Sequence, residues 1–305
     1  MSPLVADWQD GHSVDTCCRK KLVCGAGLAS FSGDALHHFG PIRRHLIGNS
    51  GFDANDFLEM TYAGWVQDGV WVPRPYHVSD VQGPIDKSAS ALAKQLEWYR
   101  ARLPSSTFYL VGYSLGGVIA FEAAEKLLSS NLSAWRGRLA GVAMLSSPLL
   151  GVDFGALRDL AREIASGPDG YGQAGTELLA RAGDEAWLDR VEVSAAFLRA
   201  SGVRLLIVWD RNDSVVERRD AVLPSAVIAG EVVAVEASLP PDADAIARRY
   251  GHGPVLSDPR TLAAMARFVG EQECSGPHRR QPVSDTVEAE LEALKERLRR
   301  EGGRI

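Results

Sequence analysis

An unbroken apolar run, Phe108-Tyr109-Leu110-Val111, passes through Gly112-Tyr113-Ser114-Leu115-Gly116-Gly117 straight into a helix-forming stretch, Val118-Ile119-Ala120-Phe121-Glu122-Ala123-Ala124. Only Tyr113-Ser114-Leu115, bracketed by glycines, separates strand from helix. A turn this tight brings backbone against backbone, so side chains flanking it would clash, and glycine is needed at 112, 116 and 117. Ser114 is thereby pushed out above the end of the strand, at the positive end of the following helix. A buried strand that feeds directly into a covering helix is the unit of a sheet with parallel neighbours.

The rest of the chain repeats that alternation. Leu22-Val23-Cys24, Phe57 to Tyr62, Leu139 to Leu145, Val203 to Trp209 and Glu231 to Val235 read as further strands. Pro84 to Arg102, Leu115 to Leu128 and Pro259 to Val269 carry apolar residues at helical spacing. Continuous apolar strands predict a sheet covered on both faces. The expected fold is therefore α/β, a mainly parallel doubly wound sheet, formed by residues 20–150 and 201–272 after an N-terminal extension, 1–19. Residues 151–200 are too long for an ordinary crossover. Their helical runs, Phe154–Ile164 and Asp184–Leu198, predict a helical cap over the carboxyl edge of the sheet, the alternative being a peripheral insertion. The tail, 273–305, repeats Val287, Leu291, Leu294 and Leu298 at spacings of four, three and four, with glutamates early and arginines late. That is a helix with a narrow apolar seam, able to dock on the body or to pair with a second copy as a homodimer, the alternative being a solvated appendage.

Several function classes are excluded at this level. A formal net charge of −6 offers no electrostatic footprint for nucleic acid or an anionic membrane surface. No stretch approaches the ~20 apolar residues that span a bilayer. The four cysteines (Cys17, Cys18, Cys24 and Cys274) make neither a disulfide framework nor a metal-ligand pattern. The first residues lack the basic region and apolar core of a secretory signal, so a cytoplasmic protein with no metal is expected.

A serine hydroxyl at position 114 needs a base, and the base needs an orienting acid. In a strand–turn–helix of this kind the partners follow in the order serine, acid, histidine. His12, His37, His38, His45 and His77 all precede Ser114, and His278 lies in the charged tail beside Arg279 and Arg280. His252, in the loop just before the last core helix, is the expected base. Asp210 ends a strand and Asp213 lies three residues into the loop after it. Asp213 is favoured because a loop carboxylate can reach a neighbouring loop, with Asp210 as a turn former. Asp242 and Asp244 sit in a Pro-rich loop and are a remote alternative. Negative charge developing on a carbonyl oxygen calls for two N–H donors. The amide of Leu115 is one. The other is expected from Cys24-Gly25-Ala26-Gly27-Leu28, at Ala26 or, failing that, Gly27. Expected substrate-pocket residues are Gly27, Leu28, Tyr113, Phe154, Leu157, Tyr171 and Trp187. A rival reading takes Gly25-Ala26-Gly27-Leu28-Ala29-Ser30 as a dinucleotide-binding turn. It is disfavoured because Phe31-Ser32-Gly33-Asp34 is a poor helix start and no acid stands clearly at the end of the second strand. No organic cofactor is expected.

The segments Leu110 to Gly117, Leu145-Ser146-Ser147-Pro148-Leu149-Leu150-Gly151, Asp213-Ser214-Val215-Val216 and His252 to Pro259 together resemble the α/β-hydrolase superfamily. Within it the chain is similar to lipase and GPI-inositol-deacylase-like serine esterases. The resemblance implies Ser114, Asp213 and His252 as a catalytic triad. Two departures stand out: Cys24-Gly25 where such enzymes usually carry His-Gly, and Asp210 where a small residue often ends the strand. The expected activity is hydrolysis of a small-molecule carboxylic ester or thioester through an acyl-enzyme on Ser114. The alternatives are an acyltransferase or thioesterase working on a carrier-bound acyl chain, and a non-hydrolytic binding protein, lyase or cyclase.

Overall fold

The computed structural model describes residues 19–28, 30–152, 172–240, 243, 245–270, 293–294, 296–297 and 300. Strand β1 (Lys20–Gly25) leads through α1 (Asp34–His38) and α2 (Gly40–Asn49) to β2 (Phe57–Glu59). A hairpin, β3 (Gly64–Gln67) and β4 (Val70–Pro73), and a short α3 (Val78–Val81) follow. Then come α4 (Ile85–Arg102), β5 (Thr107–Tyr113), α5 (Leu115–Trp135) and β6 (Leu139–Leu145). Next are α6 (Gly172–Arg181), α7 (Glu185–Ala200), β7 (Arg204–Asp210), α8 (Arg218–Ala221), α9 (Pro224–Ile228) and β8 (Val232–Val235). The core ends with α10 (Ala245–Tyr250) and α11 (Pro259–Val269).

Six strands form one sheet in the order β2-β1-β5-β6-β7-β8, and every neighbouring pair is parallel. This is the mainly parallel, helix-flanked α/β architecture expected from the apolar runs. Successive strand residues point to opposite faces, and both faces are covered. Val23, Leu110, Val142 and Ile207 join a core with Leu92 and Leu96 of α4, Phe121 of α5 and Phe197 of α7. Leu22, Val111, Ala143 and Val208 face the other core, with Ile42 and Leu46 of α2 and Met265 and Phe268 of α11. Both sides are buried, so β5 reads as seven consecutive buried residues instead of an alternating pattern. Helix α4 buries Ile85, Ala89, Leu92, Leu96 and Tyr99, one stripe at spacings of three and four. Helix α11 opens on Pro259, with Asp258 accepting from the amides of Arg260 and Thr261, and stops at Gly270, whose φ is 66°.

Two local outcomes differ from the sequence reading. The second strand ends at Glu59, not Tyr62, because the amide of Thr61 goes to the Gln95 side chain (2.9 Å) and leaves the ladder. The β3–β4 hairpin, turning at Asp68-Gly69, was not anticipated.

Helix α7 is the crossover that returns the chain to β7, and it lies along α5. Arg190 pairs with Glu125 (3.2 Å), whose other oxygen accepts from Ser194 Oγ (2.8 Å), and Arg181 of α6 pairs with Glu122 (2.8 Å). The remainder of the expected cap, 153–171, lies outside the described residues. In the tail, Leu294 packs against the core that contains α4 and α5. No helix among the described residues is long and apolar enough to cross a membrane.

Candidate active site

With all six strands parallel, their carboxyl ends open onto one edge, where ligands of such sheets bind. The pairing of Gly25 with Gly112 sets the loop after β1 level with the turn after β5. At that turn Ser114 has φ 54° and ψ −131°, a conformation that costs a non-glycine residue about 1–3 kcal/mol and is held by its surroundings. Its amide donates to Leu145 O (3.0 Å) and its carbonyl accepts from Gly117 N (3.0 Å). The glycine requirement is visible at Gly112, where a Cβ would fall 2.3 Å from the backbone of Gly116 and Gly117. Leu115 opens α5, so its amide is one of the N–H groups for which the helix itself has no acceptor.

Asp213 and His252 are brought together. His252 Nδ1 lies 2.7 Å from Asp213 Oδ2, and both residues are buried. The other carboxylate oxygen, Oδ1, accepts from the amides of Val215 (2.8 Å) and Val216 (3.1 Å). The two loops are tied together as well. Ser214 donates from both its amide (2.8 Å) and its hydroxyl (3.0 Å) to Tyr250 O, just ahead of the histidine. An ionised Asp213 keeps the imidazole proton on Nδ1 and leaves Nε2 as an acceptor. The Tyr113 ring packs on that imidazole, centroids 4.8 Å apart and planes 31° from parallel. Among the described residues Ser114 Oγ has no hydrogen bond to His252.

Asp210 is occupied differently. Its Oδ1 accepts from the amides of Asn212 (3.0 Å) and Ala237 (3.1 Å), joining the end of β7 to the chain after β8. Oδ2 is buried without a partner among the described residues. Burial raises the Asp210 pKa despite those two backbone donors, with nearby Asp213 and Asp258 adding to the rise.

The loop after β1 runs against Ser114. A Cβ on Gly27 would fall 2.9 Å from Ser114 Cβ and 3.2 Å from its Oγ. Ala26 is buried, and Leu28 packs on the core beneath α4 and α5. Trp187 is not brought to this group: its Nε1 donates to Leu149 O (2.9 Å) and its ring carries the Arg181 guanidinium 3.9 Å from the centroid. Phe154, Leu157 and Tyr171 lie outside the described residues, as does Asp242, while Asp244 is likewise undescribed.

Sequence reasoning missed the side chains that back this loop: Tyr62, Tyr76 and Ser30, together with Glu59. An acid does end the second strand, contrary to expectation. The Glu59 carboxylate accepts from the amides of Gly33 (2.6 Å) and Ala35 (3.3 Å) and so caps α1. Burial pushes the pKa of Glu59 up to about 7 in spite of those donors. No group of His, Cys, Asp and Glu among the described residues is arranged to hold a metal ion.

Over residues 72–138, from the hairpin through α5, the chain matches the family model of the Thioesterase domain. No curated protein matches it. Its fold is similar to a lipase-esterase related protein from Clostridium acetobutylicum, at 12% identity over 82% of this chain and 93% of that one, with a TM-score of 0.45. It is also similar to a thermophilic esterase from Thermogutta terrifontis, at 17% identity over 83% and 90% of the two chains, with a TM-score of 0.43. A third is the phospholipase PlaB from Legionella pneumophila, at 16% identity over 64% of this chain, with a TM-score of 0.44. The chain spans about two fifths of the length of that phospholipase, 40%. The parallel sheet, the strand–turn–helix at Ser114 and the Thioesterase-domain match across that turn are consistent with a member of the α/β-hydrolase superfamily.

Proposed function

We propose that the protein is a serine hydrolase that cleaves a small-molecule carboxylic ester or thioester through an acyl-enzyme on Ser114. The observation that carries this reading is a strained serine at the strand–helix turn with a buried Asp213–His252 couple stacked on the ring of the adjacent Tyr113. The Thioesterase-domain match over the nucleophile segment adds support at the level of ester hydrolysis and brings thioesters into the substrate class.

In this mechanism Ser114 Oγ attacks the acyl carbon while its proton passes to His252 Nε2. The Asp213 carboxylate holds the ring in the accepting tautomer and stabilises the imidazolium that forms. The carbonyl oxygen gains a negative charge and is met by the Leu115 amide at the start of α5, and by an amide of the β1 loop at Ala26 or Gly27. Collapse expels the alcohol or thiol, which takes the proton from His252. Water, deprotonated by the same imidazole, then attacks the acyl-serine; the imidazolium returns that proton to Ser114 Oγ as the carboxylic acid leaves, which restores the enzyme.

The test is labelling with a fluorophosphonate, combined with turnover of an acyl ester and an acyl thioester. Wild type, Ser114→Ala and His252→Ala are compared. Both variants are expected to lose labelling and at least about a thousandfold in kcat. Wild-type turnover by folded Ser114→Ala would show that no acyl-serine forms and would overturn the proposal.

A further inference from the structure

The loop that runs against Ser114 is held from behind by two buried phenols. Tyr62 Oη donates to Ala26 O at 2.8 Å. Ser30 clamps the next carbonyl, Gly27 O, through its amide (3.1 Å) and its hydroxyl (2.7 Å). Tyr76 Oη in turn donates to Ser30 Oγ at 3.3 Å. The two rings meet edge to face with centroids 4.7 Å apart, and both residues are about 98% buried or more, with exposures of 2% and 1%. Tyr76 also exchanges backbone bonds with the far end of the loop. Ser32 N donates to Tyr76 O (3.1 Å), and the Tyr76 amide donates to Ser32 Oγ (2.7 Å).

Consecutive peptide planes, Ala26–Gly27 and Gly27–Leu28, thus have their carbonyls fixed by side chains. A peptide is planar and trans, so fixing a carbonyl also fixes the direction of the N–H on its far side. Those amides belong to Gly27, which runs against Ser114 and is one of the two candidate oxyanion donors of this loop, and to Leu28. Among the described residues neither phenol has another partner that would explain a buried hydroxyl there, and a buried hydroxyl without one is costly. Burial also raises both phenol pKa values, so both stay protonated donors at neutral pH.

We propose that Tyr62 and Tyr76 are positioning residues of the hydrolytic site: through Ala26 O and Ser30 they hold the β1 loop at the orientation in which it receives the developing oxyanion. This rests on the serine-hydrolase reading above. They touch neither substrate nor Ser114 and act only through the loop. Removing either hydroxyl leaves the ring packing intact and frees one point of the loop. The cost therefore falls on the charged intermediate and not on substrate binding.

The experiment compares Tyr62→Phe, Tyr76→Phe and Ser30→Ala with wild type. Tyr109→Phe serves as a control that removes a buried phenol of β5 whose hydroxyl meets Arg204 (2.7 Å) and Val269 O (3.5 Å) and not the β1 loop. The readouts are kcat and KM for acyl ester hydrolysis, and affinity for a trifluoromethyl ketone whose serine adduct carries the same oxyanion. Tyr62→Phe is expected to lower kcat about tenfold, a fraction of the cost of deleting an oxyanion donor outright. KM is expected to stay within about twofold, with ketone affinity falling in parallel with kcat. Tyr76→Phe and Ser30→Ala should follow in the same direction, and Tyr109→Phe should change neither quantity. Should Tyr62→Phe not fold, the other two variants decide. Unchanged kcat and ketone affinity in the folded variants overturns the proposal, and so does a fall in kcat without a fall in ketone affinity. Either result leaves the hydrolase reading standing, whereas an active Ser114→Ala removes both.

Discussion

Asp213 and Asp210 both lie at the end of β7, three residues apart, and the structure separates them by their partners. Asp213→Asn leaves an amide with one oxygen and one nitrogen to place. The amides of Val215 and Val216, at 2.8 and 3.1 Å, can only donate, so they claim the oxygen. The new NH2 group is then directed at His252 Nδ1, where Oδ2 stood 2.7 Å away. A donor facing Nδ1 drives the imidazole proton to Nε2, and the ring can no longer accept from Ser114. That tautomer error is worth roughly 10³–10⁴ in kcat, by the measured precedent of serine proteases, or about 4–5.5 kcal/mol at 1.36 kcal/mol per decade. Asp210→Asn behaves otherwise. Its oxygen stays with the Asn212 and Ala237 amides, and the NH2 replaces an oxygen that has no partner. Activity is expected within about threefold of wild type. The pH dependence follows from the raised Asp210 pKa. A carboxyl with a folded pKa above its unfolded one binds its proton more tightly in the native state. It therefore stabilises the fold at acid pH, and that contribution is lost as pH rises through the folded pKa. Asp210→Asn should consequently gain in Tm relative to wild type as pH is raised from about 4 to 8. The assay is kcat for an acyl ester across pH, with Tm measured alongside. Comparable loss of kcat in both variants, or an Asp213→Asn enzyme within tenfold of wild type, would refute the assignment.

Two further outcomes are expected. Gly27→Ala places a methyl group 2.9 Å from Ser114 Cβ at a backbone position without positive φ. The loop and the serine must part by a few tenths of an ångström, which should lower kcat about tenfold while urea unfolding shifts by less than about 1 kcal/mol. An unchanged kcat would show that the loop does not serve the nucleophile. Glu59, with its pKa near 7, also holds its proton more tightly folded than unfolded, so its stabilisation is lost as pH rises through 7. Wild-type Tm should fall between pH 5 and 8.5 more steeply than that of Glu59→Gln, and equal slopes would show that Glu59 does not titrate there.

The legible parts of this molecule are those whose cause is local. The run from Phe108 to Ala124 permits one backbone path, because three glycines leave the turn no side chains to clash, and the Ser114 dihedrals follow from that path. Helix α4 announces itself by a single buried stripe. The hairpin carried a local signal too, Asp68-Gly69 between Val66 and Val70, a favoured two-residue hairpin turn, yet the apolar run from Phe57 masked it. The end of β2 was not local at all. Nothing between Glu59 and Thr61 says that Gln95, on a helix 34 residues away, will take the Thr61 amide out of the ladder. Tyr62 and Tyr76 were hidden for the same reason. As residues in sequence they look like ordinary core aromatics, and only the path of the chain out of β2, for Tyr62, and back from the hairpin, for Tyr76, sets their hydroxyls behind Ala26 and Ser30.

The choice between two aspartates shows where sequence reasoning could reach further than its evidence. A carboxylate on the last residue of a strand still lies among the backbone amides of its neighbours, and Asp210 finds two of them, one in the chain after β8. Three residues on, the chain has left the ladder and can fold back on itself. Asp213 uses this freedom to accept from the next two amides after Ser214 with one oxygen and to extend the other to His252. The partition needs no special residue, because it follows from how far each position stands beyond the last ladder bond. The same geometry explains the cost of Asp210. Its second oxygen is sealed in with no donor among the described residues, and that burial raises its pKa, while Asp213 alone of the two is hydrogen-bonded to the imidazole.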